Sequence, residues 1–143
     1  MGQMAPEIDA MTHENKRLRL SDFRGKQVVV LVFYPGDSTP LCTSQLCSFR
    51  DAWEQLERAD TVVLGVNPSN QAKHAQFVEK NNFPFPLLVD TKSSIAKAYG
   101  RSALFGLFIR RAVILIDKQG KIVQIWEGNP APAKVLEAIK ALP

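Results

Sequence analysis

Residues 27–43 read Gln27-Val28-Val29-Val30-Leu31-Val32-Phe33-Tyr34-Pro35-Gly36-Asp37-Ser38-Thr39-Pro40-Leu41-Cys42-Thr43. From Gln27 to Tyr34 the run is almost continuously β-branched, aliphatic or aromatic, as in a strand buried on both faces. Pro35-Gly36-Asp37-Ser38 breaks it. Thr39-Pro40 then has the form of a helix N-cap followed by proline at the first helical position. Leu46, Phe49, Trp53 and Leu56 recur at helical spacing, which predicts a helix from about residue 40 to about residue 56.

The same alternation extends outward. Upstream, Met1 to Met11 is a short lead-in with Pro6, Asn15 to Leu20 is predicted to pair as a short strand, and Ser21 to Lys26 to turn. Downstream, Thr61 to Val66 is a second buried strand ended by Asn67-Pro68, and Ser69 or Asn70 caps a helix that runs to about Asn81. Phe83-Pro84-Phe85-Pro86 is a rigid extended loop, Leu87 to Val89 a short strand, and Ser93 to Tyr99 a short helix. Ala112 to Ile116 and Lys121 to Trp126 form a hairpin about Asp117-Lys118-Gln119-Gly120, and Pro132 to Leu142 is a closing helix. Strand–helix–strand–helix followed by a hairpin and a helix implies an α/β, thioredoxin-like fold: a mixed central sheet with helices on both faces.

With 143 residues the expectation is a single domain, 1–143, able to bury roughly two-thirds of its unfolded surface without staples. Hydrophobic residues are 45% and charged residues 22%, which excludes a disordered chain. The net charge of +4 is mild, its runs Lys16-Arg17-Leu18-Arg19 and Arg110-Arg111 are short, and no aromatic stripe accompanies them. A solvated basic face, not nucleic-acid binding, is therefore expected. No apolar stretch approaches the roughly 18 residues of a membrane helix, and no signal-peptide pattern precedes the first strand, so a cytoplasmic protein is expected.

In a reducing cytoplasm a pair of cysteines is a poor structural staple. Both cysteines of this chain, Cys42 and Cys47, fall in one short window. Cys42 stands just past a strand, in the predicted first turn of a helix. Unpaired backbone N–H groups and the helix dipole stabilise a thiolate there, and the thiolate is the nucleophile. An isolated cysteine is more often buried and inert; the strand–Pro–Thr–Pro–Cys context favours the reactive alternative.

Pro35, Thr39 and Cys42 fit Pro-x-x-x-Thr-x-x-Cys, and this segment resembles the active-site motif of the peroxiredoxins. Continued through Cys47-Ser48-Phe49-Arg50-Asp51, it is similar to the bacterioferritin-comigratory-protein, or peroxiredoxin Q, subgroup. Supporting similarities are Ala5-Pro6, Gly65-Val66-Asn67-Pro68, Phe83 to Leu88, and Leu115 to Gly120.

The resemblance implies a thiol peroxidase for hydrogen peroxide and organic hydroperoxides. Cys42 would attack the O–O bond and become a sulfenic acid, and Cys47 would resolve it to a disulfide that a thioredoxin-like or glutaredoxin-like donor reduces. Thr39 would supply a hydroxyl and the Leu41 and Cys42 N–H groups further donors to the leaving oxygen. Pro35 would pack over the thiolate. Arg111, six residues before Asp117 at the start of the same strand, matches the family's distant arginine; the alternative is a solvated strand-end charge. Arg110, its neighbour, should leave the other face of the sheet. No cofactor or metal is implied, and the chain is expected to be a monomer or a weak dimer.

Five residues along an intact helix, Cα atoms stand roughly 8–9 Å apart and point about 140° away from each other. A disulfide needs Cα atoms within about 7 Å. Closing Cys42 to Cys47 therefore requires the helix to unwind locally. The alternative for Cys47 is a core cysteine.

Two departures from the family pattern stand out. Gln45 occupies the place of the usual glutamate, where an amide can still hydrogen-bond but cannot pair ionically with Arg111, and Leu41 replaces the common glycine. His13 and His74 lack metal-ligand partners at recognised spacing and are expected at the surface. A protein dithiol–disulfide oxidoreductase, for which Cys-x-x-Cys is the usual solution, and a redox sensor are the competing functions on this fold.

Overall fold

A computed structural model describes residues 2–37, 40–103 and 108–143, apart from the side chains of Leu41, Cys42, Ala103 and Phe108. In chain order the elements are β1 (Asp9–Met11), β2 (Arg17–Arg19), a 3-10 turn (Leu20–Phe23), β3 (Val28–Phe33), α1 (Pro40–Asp51), α2 (Trp53–Arg58), β4 (Thr61–Asn67) and α3 (Gln71–Asn81). There follow β5 (Leu87–Val89), α4 (Ser94–Ala98), β6 (Ser102–Ala103), β7 (Phe108–Ile109), β8 (Ala112–Ile116), β9 (Ile122–Glu127) and α5 (Pro132–Lys140).

The central sheet has five strands in the order β5-β4-β3-β8-β9. β3, β4 and β5 run parallel, while β8 and β9 are antiparallel to their neighbours, so the sheet is mixed. All six residues of β3 are buried, as its unbroken apolar run requires. Its alternate residues feed two cores. Val28, Val30 and Val32 pack with Leu46 and Phe49 of α1, Leu56 of α2, Phe77 of α3 and Val135 and Ile139 of α5. Val29, Leu31 and Phe33 pack with Ile8, Leu20, and Ile95 and Ala96 of α4. Helices thus cover both faces.

Gly65 marks the tightest approach: a Cβ there would lie 2.5 Å from Leu87 Cδ2 and 3.4 Å from Tyr34 Cε1. Glycine lets β4 and β5 pair under the buried Tyr34 ring.

The local details depart from expectation in three places. The predicted long helix is two helices, because Ala52 (φ −95°, ψ 5°) leaves helical geometry and α2 restarts at Trp53, whose ring sits 5.9 Å from Phe85. The lead-in segment contributes β1, which pairs with β2, and residues 102–103 pair with 108–109 in a small hairpin. Neither was legible from periodicity, because strands this short carry no period. The β8–β9 hairpin is as expected, with Asp117 Oδ1 accepting from the N–H groups of Gln119 and Lys121 and Gly120 at φ +85°.

Candidate active site

The parallel strands β3 and β4 end at one edge of the sheet, β3 at Phe33, just before Tyr34, and β4 at Asn67. In sheets of this kind ligands bind outside the carboxyl ends of the strands. Residues 34–37 leave β3 at this edge, and α1 begins at Pro40, with Cys42 in the first helical turn. Pro35 is half-buried. Thr39 lies outside the described residues, as does the Cys42 side chain.

Register brings the distant arginine to the same edge. Phe33 pairs with Ala112 across the β3–β8 ladder, so Arg111 stands beside Tyr34, and its carbonyl accepts from Gly128 N–H at 2.9 Å. The half-buried Arg111 side chain donates from Nη1 to Gln45 Oε1, as an amide in that place allows. Arg110 is exposed and donates instead to the Gly100 carbonyl. Gln45 is fully buried one turn into α1, and its Nε2 has no hydrogen-bond partner among the described residues.

Cys47 lies half-buried on the same unbroken helix, between the fully buried Leu46 and Phe49. Its Sγ faces Asn81 Oδ1 at 3.8 Å, and Asn81 is held by Phe77 O (3.0 Å) and by Arg50 Nη1 on its own carbonyl (2.7 Å). In this helical form the thiol is turned toward the C-terminal end of α3.

Two further facts concern what surrounds the site. Among the described residues no group of three or more His, Cys, Asp or Glu is placed to hold a metal ion. A groove of about 680 Å³ between α2 and α5, lined by Arg58, Leu136 and Lys140, lies where α2 leads into the start of β4, at the opposite end from Cys42.

The model of the AhpC/TSA family matches residues 1–125. The chain belongs to this family. Among its relatives, peroxiredoxin Bcp of Bacillus subtilis is 40% identical over 99% of this chain and 94% of its own length. The chloroplastic peroxiredoxin Q of Populus jackii is 38% identical over 99% of this chain and 67% of its own length. The crystal structure of peroxidoxin BcpB from Mycobacterium tuberculosis superimposes with a TM-score of 0.91 at 26% identity, covering 99% of this chain and 97% of that one. Bacterioferritin comigratory protein of Xanthomonas campestris, whose alkyl peroxide reduction activity is described through trapped intermediate and ligand complexes, superimposes with a TM-score of 0.87 at 26% identity over 94% of this chain and 90% of that one.

The chain is thus a peroxiredoxin of the Bcp/peroxiredoxin Q branch, with a thioredoxin-like fold and thiol-dependent peroxidase activity toward peroxides at the expense of a thiol reductant. These relatives do not favour a dithiol oxidoreductase or sensor. Among the described residues no helix is long and apolar enough to cross a membrane.

One expectation about this peroxiredoxin fails. His74 is not at the surface: it is fully buried, and His13 is half-buried beside β5. His74 Nδ1 lies 2.6 Å from Asp37 Oδ2 and its Nε2 3.0 Å from the Leu88 carbonyl. Asp37 Oδ1 accepts from Tyr34 Oη–H at 2.8 Å and Asn67 Nδ2 at 3.0 Å. Spacing could not reveal this group, since Asp37 and His74 are 37 positions apart. The only local sign was an acid between a buried strand and a helix start. His13 faces the same region: desolvation, with a smaller contribution from nearby His74, lowers its pKa, and Glu14 partly offsets this.

Proposed function

We propose that Cys42 is the peroxidatic cysteine and Cys47 the resolving one. The Cys42 thiolate attacks the terminal peroxide oxygen, the O–O bond breaks, and RO⁻ leaves and takes a proton, giving Cys42–SOH and ROH. Cys47 then attacks the sulfenic sulfur, forming the disulfide and releasing water. A thioredoxin-like or glutaredoxin-like dithiol donor in the cytoplasm returns both thiols. Arg111 favours thiolate and developing oxyanion, Thr39 and the first N–H groups of α1 hold the peroxide, and Pro35 limits water.

The observation that carries this reading is the meeting, at one sheet edge, of the first turn of α1 with Arg111 through Gln45. Alkyl hydroperoxides are proposed as substrates beside hydrogen peroxide, supported by the activity described for the Xanthomonas campestris relative.

The experiment follows from α1. Both cysteines lie on one continuous helix, Pro40–Asp51, so the disulfide demands unwinding, which releases the Asn81 contact of Cys47 and the packing of Leu46. Hydrogen exchange on the two redox forms should show faster exchange across residues 40–49 in the oxidised one. After excess peroxide, the Cys47→Ser variant should carry sulfinic acid on Cys42. Equal protection in both forms, or full turnover by Cys47→Ser with a dithiol donor, would remove Cys47 from the mechanism.

A further inference from the structure

The carboxylate of Asp37 is 5% exposed and yet makes no contribution to the chemistry written above. Burying an ionisable group is tolerated only when its lone pairs are filled, and an apolar replacement of such a group is often at least as stable. Here three donors reach the carboxylate, two on Oδ1 and one on Oδ2, each from a different part of the fold. Tyr34 follows β3, Asn67 ends β4, and His74 lies in α3 and reaches on to Leu88 of β5.

The orientations are fixed as well. Asn67 Oδ1 accepts from Ser69 N–H at 2.8 Å, so its Nδ2 is the atom that donates to Asp37. The Leu88 carbonyl can only accept, so Nε2 of His74 carries a hydrogen, and one proton lies between Nδ1 and Asp37 Oδ2. Only two residues, Ser38 and Thr39, separate this anchor from Pro40, whose ring fixes φ at the start of α1.

We infer that His74 and Asn67 are positioning residues of the peroxidase site, acting through Asp37 to fix the point from which the chain enters α1 and so the helix start that presents Cys42 to peroxide. The inference rests on Cys42 being the peroxidatic residue. Anchoring matters here because a misplacement of about 1 Å at a reacting centre slows reaction by up to ~10²-fold.

The test uses the full chain in a Cys47→Ser background, so that one thiol reports. The rate constants of Cys42 with hydrogen peroxide and with iodoacetamide are measured, since alkylation needs the thiolate but not the peroxide donors. His74→Leu should lower the peroxide rate constant by about 10- to 100-fold and leave alkylation within about threefold, with exchange protection of residues 43–51 unchanged. Asp37→Asn should keep the parental rate to within about threefold. Its Oδ1 can still accept from Tyr34 and Asn67, and its Nδ2 can donate to a neutral His74 whose Nε2 still serves Leu88. Should His74→Leu fail to fold, Asn67→Ala is read in its place, with the same expectation. A folded variant that keeps the peroxide rate, an equal loss in both reactions, or an Asp37→Asn as slow as His74→Leu would overturn the inference. A parental protein whose Cys42 reacts with peroxide no faster than free cysteine would instead overturn the assignment of Cys42 itself.

Discussion

Val30, in the middle of β3, and His74, at the carboxyl edge of the same sheet, are equally hidden, both 0% exposed. They are held in different ways. Around Val30 the contacts are aliphatic and aromatic: Val63, Phe77, Leu115 and their neighbours. Around His74 they are directional: two ring nitrogens on two oxygens, with Asp37, Asn67, Tyr34 and Leu88 completing the set. Dispersion and apolar burial set the total stability but are tolerant of small displacements, whereas a hydrogen bond weakens steeply with angle and distance. The first makes the sheet; the second, on the inference drawn above, serves the point where the chain enters α1.

If that division is right, substitutions at the two ends should fail in different assays. Leu64→Ala, at a fully buried position in the middle of β4, should lower stability by about 2–5 kcal/mol in urea unfolding while leaving the peroxide rate constant of the folded protein unchanged. A slowed reaction in the folded state would show that the apolar body also positions the site.

Arg111→Ala should do the reverse. Loss of one preorganised charge-stabilising donor slows reaction by ~10²-fold or more, and stopped-flow mixing with peroxide should show that loss with little change in unfolding midpoint. Arg110→Ala, which removes an exposed side chain bonded to Gly100 O, should do far less. Equal effects would mean that the wrong side of the β8 edge has been assigned.

The smallest effect is the one on pH. His13 is depressed in the folded protein, chiefly by desolvation, and its Nδ1 accepts from Leu87 N–H at 3.3 Å, which a protonated ring could not do. A depressed histidine adds stability that is fully present above its unfolded pKa of about 6.5 and is lost as pH falls through the lower folded value. The stability difference between the wild type and His13→Asn should therefore shrink as pH is lowered from about 7.5 to about 5. A difference that stays constant or widens would contradict the lowered pKa of His13.

Much of the frame was legible in the chain. The unbroken run Val28 to Phe33, proline at the start of α1, the amide cap of Asn70 on Lys73 N–H (2.9 Å) and the Asp117–Gly120 turn all depend on residues within a few positions of each other. The motif Pro35–Thr39–Cys42 likewise spans only a few positions, and alternation along an extended chain predicted that Arg111 and Arg110 leave opposite faces. Tertiary structure alone decided the burial of His74, the conversion of Asp37 from a turn residue into an anchor, the meeting of Gln45 with Arg111 across 66 positions, and the direction in which Cys47 points. The physical reason is range. Backbone preference and periodicity act over one turn or one strand, while a buried polar group is satisfied only by whatever donors and acceptors the packed sheet brings to it.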